Sequence, residues 1–221
     1  DDGGTANGGV DLDGSRIIIA IDVTQVNRAP KVFDLSYSII EDTGLDDGLL
    51  TAIDDDGDGL IISLLDGAAH GTAVVDEAGN YSYVPEANFN GTDSFTYWAF
   101  DGALYSNVGT VTIRVTEVND APAATNDELA SVAEDSGART ISFAALTGND
   151  SRGPANESAQ TLSVSAVGNP VGGTVAIVGG QIEFTPAANF KGTASFDYTV
   201  TDNGTTHGDA APLTDSGHVS F

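Results

Sequence analysis

The sequence predicts an all-β protein of β-sandwich domains strung end to end, and three features predict it. Apolar residues alternate with others along short runs, at Ile17, Ile19, Ile21 and Val23 and again at Val111, Ile113 and Val115, the period of two that buries one face of a strand. Gly79-Asn80 and Asp101-Gly102 punctuate such runs as turns. A set of motifs recurs once, in unchanged order, at a spacing of roughly 95 residues, the length of a sandwich of about seven strands. No segment carries a convincing amphipathic-helix period.

The repeat sets the organisation. It opens on Asn27-Arg28-Ala29-Pro30, matched by Asn119-Asp120-Ala121-Pro122, and a Glu-Asp pair follows, Glu41-Asp42 and then Glu134-Asp135. Tyr81 and Tyr83 stand opposite Ile182 and Phe184, so these positions are expected to face a core. Pro85-Glu86-Ala87-Asn88-Phe89-Asn90-Gly91-Thr92 is echoed by Pro186-Ala187-Ala188-Asn189-Phe190-Lys191-Gly192-Thr193. The strand after it, Ser94-Phe95-Thr96-Tyr97, is echoed by Ser195-Phe196-Asp197-Tyr198, and Asp101 then falls opposite Asp202. Residues 1–29 are therefore expected to be the tail of a preceding repeat, 30–121 one whole repeat and 122–221 a second. Val219-Ser220-Phe221 aligns with Val111-Thr112-Ile113, so the last strand is expected to be truncated. The opening Asp1-Asp2-Gly3-Gly4 reads as a cut from inside a longer chain.

Charge narrows the partners. Asp and Glu number 33 against 7 Lys and Arg, a net charge of -26, which repels nucleic acid and anionic membrane surfaces. With 40% hydrophobic residues the chain can still bury packed cores. Self-repulsion on this scale opposes compaction unless cations are fixed at particular points, a first pointer to bound metal. No apolar run nears the ~20 residues of a membrane-spanning helix, so membrane insertion is not expected. Cys is absent; such a chain can cross an export channel unfolded without premature disulfides, and a reducing cytosol would suit it equally.

Two acidic constellations carry the chemistry. Asp54-Asp55-Asp56-Gly57-Asp58-Gly59 places carboxylates at alternate positions before a glycine, as the start of an EF-hand calcium loop does, with Ile61 at its apolar position. Leu65 stands where that loop has its bidentate Glu, and helix–loop–helix does not fit between strands, so the competing reading is a solvated acidic turn. The other constellation is Glu117-Val118-Asn119-Asp120-Ala121-Pro122, three oxygen-bearing side chains in a linker that Pro122 stiffens.

In context these segments resemble cadherin repeats. Val115-x-Glu117-x-Asn119-Asp120-Ala121-Pro122 is similar to the cadherin inter-domain linker, and Leu50-Thr51-Ala52-Ile53-Asp54-Asp55-Asp56 to the segment that supplies the cadherin Asp-x-Asp ligands. Ala99-Phe100-Asp101 resembles the cadherin Ala-x-Asp, and Glu41 and Glu134 sit where cadherins keep a glutamate near the end of the first strand. The Pro-x-Ala-Asn-Phe-x-Gly-Thr signature with its Ser-Phe-x-Tyr sequel resembles more closely the tandem cadherin-like repeats of large bacterial surface and biofilm adhesins, often of the RTX type and exported by type I secretion. The resemblance spans the whole chain. It implies cadherin-like (immunoglobulin-like, Greek-key) sandwiches, an extracellular place on the bacterial cell surface, Ca²⁺ as cofactor and neighbouring repeats as partners.

For the junction between the two repeats the resemblance implies ligands from Glu41, Asp101, Glu117, Asn119 and Asp120, with Asp150 reaching in from the second repeat. The preceding junction would use Asn27, Asp54 and Asp56, with Asp58 beside them, and Asp202, Glu134 and Asp135 would belong to a third. Arg28 and Gln25 stand where the linker Asp and Glu are expected, and Arg152 where the second Asp of the Asp-x-Asp pair falls. The first junction is therefore expected to bind more weakly or hold fewer ions. The cadherin Asp-Arg-Glu triplet is missing as well, which argues against three ions per junction. The implied mechanism is electrostatic: unbridged carboxylates repel and the linker swings, whereas bridged ones lock two domains on one axis. At the ~10⁻⁴–10⁻³ M affinity of extracellular modules, external calcium saturates such sites and cytosolic calcium does not.

Trp98 and Phe100 align with Thr199 and Thr201, on the strand face opposite Tyr97 and Tyr198. With Tyr97 in a core they point outward, and Tyr105 is near them. Such aromatics can stack on sugar rings or anchor a partner protein; the other reading is that they pack under a loop or against a neighbouring repeat. His70, His207 and His218 lie in turn-like stretches that differ between repeats, and no zinc-binding His pair, nucleophile elbow or phosphate-binding glycine loop occurs. The chain is expected not to be an enzyme. The leading expectation is a calcium-stiffened adhesive or spacer module. The alternatives are a calcium-dependent lectin-like module for exopolysaccharide and an accessory domain of a secreted polysaccharide-degrading enzyme.

Overall fold

Alternate side chains of the long strands disappear into one of two cores. In the computed structural model, which describes residues 21, 22 and 24–221, the strand Gly109–Thr116 buries every second residue, as period-two spacing requires. The first core gathers Leu50, Ile62, Tyr81, Tyr83, Phe95, Tyr97, Val111 and Ile113. The second gathers Ile141, Leu146, Val164, Ile182, Phe184, Phe196, Tyr198 and Val219. No residue is shared between them, so each repeat closes its own sandwich.

The first repeat runs β1 (Lys31–Val32), β2 (Leu35–Ile40), β3 (Leu45–Leu49), β4 (Ala52–Ile53), β5 (Ile61–Asp66), β6 (Gly71–Val75), β7 (Asn80–Pro85), β8 (Gly91–Phe100) and β9 (Gly109–Thr116). One sheet has the order β2-β9-β8-β5 and the other β3-β7-β6, with β1 and β4 paired at one end. The second repeat runs β10 (Asp127–Glu128), β11 (Arg139–Ser142), β12 (Ser163–Val171), β13 (Gly173–Val178), β14 (Gln181–Pro186), β15 (Ser195–Thr201), β16 (Thr205–Thr206), β17 (Asp209–Ala210) and β18 (Thr214–Ser220). Its sheets, β10-β18-β15-β12 and β11-β14-β13, copy the first arrangement down to the one parallel pair, β10 on β18 as β2 on β9. The hairpin β16-β17 is extra. Among the described residues the exceptions to all-β are one helical turn, α1 (Phe143–Leu146), which buries Leu146, and a 3-10 turn at Ala155–Glu157. The alternation at Ile17, Ile19 and Val23 lies outside the described residues; Ile21 is exposed and residues 24–30 form no strand.

Most of the recurring motifs are architectural. Asn88 and Asn189 both take the left-handed conformation, φ 57° and 56°, which Asn tolerates better than most residues. Each turn is tied by the aspartate of the Glu-Asp pair: Asp42 accepts the Asn88 N–H at 2.9 Å and Asp135 that of Asn189 at 3.0 Å. Buried Tyr97 and Tyr198 lie over Gly109 and Gly217, where a Cβ would come within 2.8 and 2.4 Å of the ring. Tyr81, Tyr83, Ile182 and Phe184 are core residues, as expected. Asp93 is a carboxylate buried in the first sandwich. Asp93 accepts the Tyr83 hydroxyl at 2.8 Å and the N–H groups of Ala69, His70 and Ser94. Burial pushes its carboxyl up, but these donors, Tyr83 first, outweigh burial and hold it below the usual range.

Candidate metal centre at the repeat junctions

Strand direction decides which acids can meet. β8 and β9 are antiparallel, with Gly91 opposite Val115 and Tyr97 opposite Gly109. Asp101, just past β8, and Glu117, just past β9, therefore stand at opposite ends of the first sandwich. At about 3.3 Å per residue those ends are roughly 30 Å apart, against ~5 Å between two oxygens on one calcium ion. The expected grouping of Asp101 with Glu41 and Glu117 is corrected accordingly. Asp101 lies beside Asn27, where the preceding junction is expected, and its counterpart Asp202 lies beside Asn119 of the linker between the two repeats rather than at the far end of the second.

At the first junction Asp101 accepts the N–H groups of Ala103 and Leu104, both at 2.7 Å, and the Asn27 side-chain amide at 3.0 Å. Backbone bonds, that of Leu104 foremost, hold its carboxyl below the usual range. The loop after β4 adds Asp54 and Asp58, and one oxygen from each of Asp54, Asp58 and Asp101 lies within 4.8 Å of the others. Asp54 curls this loop by accepting the N–H of Asp56 at 2.8 Å and of Asp58 at 3.4 Å, while its other oxygen is buried without a partner. Oxygens ~2.4 Å from one ion lie at most ~4.8 Å apart, so this trio fits a single Ca²⁺.

Asp56 is engaged elsewhere. It accepts the Arg28 N–H at 2.6 Å and stands 3.6 Å from the Arg28 guanidinium. The Arg28 N–H and the Gln25 side chain hold its carboxyl low. Gln25 and Arg28, the two departures noted in the sequence, thus occupy Asp56, and Asp58 takes the third place in the trio. The junction expected to be the poorer holds the tightest carboxylate trio among the described residues.

At the second junction Glu41, 3% exposed, accepts the Val118 N–H at 2.5 Å and the side-chain amide of Asn156, from the second repeat, at 3.1 Å. Glu157, 2% exposed in the 3-10 turn, accepts the Asp120 N–H at 3.4 Å. One carboxylate oxygen of Asp120 is buried without a partner. Burial, above all, pushes the carboxyls of Glu41, Asp120 and Glu157 up. Mutual repulsion adds to it: Asp120 and Glu117 act on Glu41, Asp42 on Asp120, and Glu117, Asp120 and Glu41 on Glu157. Buried acids that resist ionisation for want of a counter-charge, around an orphaned oxygen, are a donor set that a hard cation satisfies. Asn119 is instead a structural peg. Its amide donates to Asp202 at 3.1 Å and to the Ala211 carbonyl at 3.0 Å, and its oxygen accepts from Gln160 at 2.7 Å. Asp202 accepts the N–H groups of Gly204 and Leu213 at 3.0 Å, just as Asp101 binds its own loop.

Sequence reasoning missed Glu157 and misplaced Asp150. Lys31 pairs with Ile53, whereas Ala123 bridges to Ser151, so Arg152 rather than Asp150 is the counterpart of Asp54. Asp150 lies away from the linker acids, accepting the Thr125 N–H at 2.7 Å and the Tyr198 hydroxyl at 3.0 Å. Asp56 and Glu157 are equivalent in role: each accepts the N–H of the matching linker residue, Arg28 or Asp120. A signal existed, since Glu157 is the one acid between Asp150 and Glu183. Trp98 and Phe100 do point away from the core, and Tyr105 lies over both, its ring centroid 4.6 Å from each. They pack under a loop, and Tyr105, 55% exposed, is the ring offered to solvent.

Paired four- and three-stranded sandwiches, joined by a linker whose acids converge at the junction, define a tandem of the cadherin type. Residues 27–117 match the family described as bacterial cadherin-like domain, and residues 118–214 the family described as cadherin-like domain. The chain belongs to the cadherin-like domains. Human protocadherin-24 EC1-2 (form II) superposes with a TM-score of 0.55 at 17% identity, over 88% of this chain and 99% of that one. Drosophila N-cadherin EC1-4 follows with a TM-score of 0.53 at 18% identity, over 88% of this chain and 49% of that one. Likeness at such identities is one of fold. An endo-fucoidan hydrolase of glycoside hydrolase family 107 also matches, at a TM-score of 0.36, too loosely to bear on function. No curated protein matches at a significant level. Among the described residues no helix is long and apolar enough to cross a membrane.

Proposed function

We propose that this chain is a calcium-binding, non-catalytic module of an extracellular bacterial adhesin, serving surface or biofilm attachment, with repeats at 30–121 and 122–221 held in line through their junctions. Most weight falls on Glu41 from the first repeat and Glu157 from the second, both nearly buried, which converge on Asp120 and its unpartnered oxygen. The trio Asp54, Asp58 and Asp101 supports a like site at the preceding junction. Bound Ca²⁺ would supply the positive charge that these oxygens lack. Glu41 and Glu157 would then ionise at no cost in repulsion, and the junction between the repeats would gain stability. Calcium at millimolar external levels suffices if affinity is the ~10⁻⁴–10⁻³ M of extracellular modules.

Calorimetric Ca²⁺ titration tests this. Asp58→Asn should abolish the heat of the first junction and leave the second, and Asp120→Asn should do the converse. An isotherm that neither substitution alters would sink the proposal.

A further inference from the structure

The two junctions differ by an insertion. Two residues separate Asp101 from Leu104 and ten separate Asp202 from Leu213, yet the same bond closes both loops, from the Asp101 N–H to the Leu104 carbonyl at 3.2 Å and from the Asp202 N–H to the Leu213 carbonyl at 3.1 Å. The eight extra residues (ten less two) build the β16-β17 hairpin. It turns on His207 and Gly208, both at positive φ, 57° and 86°, the two-residue turn whose twist suits a hairpin.

This hairpin lies along the linker. The His207 N–H donates to the Glu117 carbonyl at 3.2 Å, and Thr206 Oγ1 accepts the Asn119 N–H at 3.0 Å. The Thr205 hydroxyl donates to the Glu117 carboxylate at 3.4 Å. At the hairpin base the fit is close: a Cβ on Gly204 would fall 1.7 Å from Asn119 Oδ1. Glu117 directly follows β9, so these bonds tie the second repeat to the end of the first repeat's last strand. The hairpin tip also borders, with Asn90, Thr92 and Arg114 of the first repeat, a cleft of about 380 Å³. Asn156 bonding Glu41 closes the junction from another side.

We propose that residues 203–212 form a metal-independent latch, which fixes the linker and the direction of the second sandwich before any cation binds. None of its bonds to the linker backbone needs a cation. In the first repeat the matching loop contributes only its Asp101 bond to Asn27 among the described residues. One junction is therefore pre-ordered by the chain itself, and this holds whether or not calcium is the ligand.

Pulsed electron–electron distance measurement reads this directly. The chain has no Cys, so spin labels on Thr72→Cys and Ala176→Cys, both exposed strand positions, report on the two repeats alone. In EGTA the parent should give one narrow distance distribution. Replacing residues 203–212 by Gly-Ala, the loop of the first repeat, should broaden it at least twofold, and added Ca²⁺ should narrow it again. The double variant Thr205→Val, Thr206→Val keeps the hairpin and removes its hydroxyl bonds; it should broaden the distribution less, and it carries the test if the shortened loop does not fold. Equal widths for parent and both variants in EGTA would overturn the latch. So would a parent that is broad in EGTA and narrow only with Ca²⁺, an outcome that would favour the metal sites alone.

Discussion

Replacing Glu157 with Gln should act in opposite directions with and without calcium. Two like unit charges roughly 6 Å apart, at an effective dielectric of about 20, repel by about 3 kcal/mol. Glu157 feels Glu117, Asp120 and Glu41, while the Asp120 N–H it accepts and the water around the linker offset part of that. A net relief of about 1–2 kcal/mol remains on removing its charge. Gln preserves the shape and an oxygen for the Asp120 N–H, so packing should not change. In EGTA, Glu157→Gln should therefore melt higher than wild type, by about 4–8 °C for each kcal/mol in a domain of this size. In calcium the sign reverses. Loss of one carboxylate should weaken the second junction's affinity at least tenfold, about 1.4 kcal/mol, and shrink the stabilisation that calcium gives. Differential scanning calorimetry in EGTA and in millimolar Ca²⁺ reads both. A variant less stable than wild type in EGTA would refute the electrostatic reasoning, and an unchanged calcium response would remove Glu157 from the site.

Further outcomes follow from single residues. Asp93→Asn should cost the first repeat about 2–3 kcal/mol, because an amide would be buried against three N–H donors; a urea midpoint at the wild-type value would contradict this. The folded pKa of Asp93 lies below its ordinary 3.8, so its contribution is complete above that value and fades as pH falls through the depressed one. The stability gap to Asp93→Asn should hold steady from about pH 7 to 5 and close in stronger acid; a gap that widened in acid would show the sign to be wrong. Arg28→Asp should remove the guanidinium from Asp56, while the backbone N–H bond stays, and add a carboxylate beside it; calcium binding at the first junction should strengthen several-fold in a calorimetric titration, and weaker binding would mean that the Arg28 charge does not compete. Tyr105→Ala should uncover Trp98, the sole Trp, and red-shift its fluorescence, whereas an unmoved spectrum would mean that something else covers the indole.

The sandwich was legible because its signals are local. Period-two burial, Asn at left-handed turns and Gly beneath Tyr97 and Tyr198 each act through residues close in sequence or fixed by strand register. The candidate sites were legible in kind and less so in membership. Asp54, Asp58, Glu41 and Asp120 announce themselves as acids at loop and linker positions. Their grouping depends on which end of an antiparallel pair each occupies, and sequence order alone places Asp101 and Asp202 one junction too late. Glu157 was hidden because the second repeat reaches the same point by a 3-10 turn instead of an acidic loop, which shifts the alignment by two residues around Ser151. Arg28 reads in sequence as a lost ligand; in three dimensions it engages Asp56 and leaves the trio intact. The hairpin at residues 203–212 appeared only as unmatched length, since hydrogen bonds from an insertion to a linker leave no periodic trace.

Backbone amide shifts followed through a Ca²⁺ titration test the junction sites most directly. Saturable changes should be confined to Asp54, Asp58 and Asp101 and to Glu41, Val118, Asp120 and Glu157. Asp46, Asp47 and Asp76, which line an acidic cleft on the β3-β7-β6 face, should stay still. Shifts spread evenly over such exposed acids, or none at all, would mean that the linker carboxylates do not gather a cation.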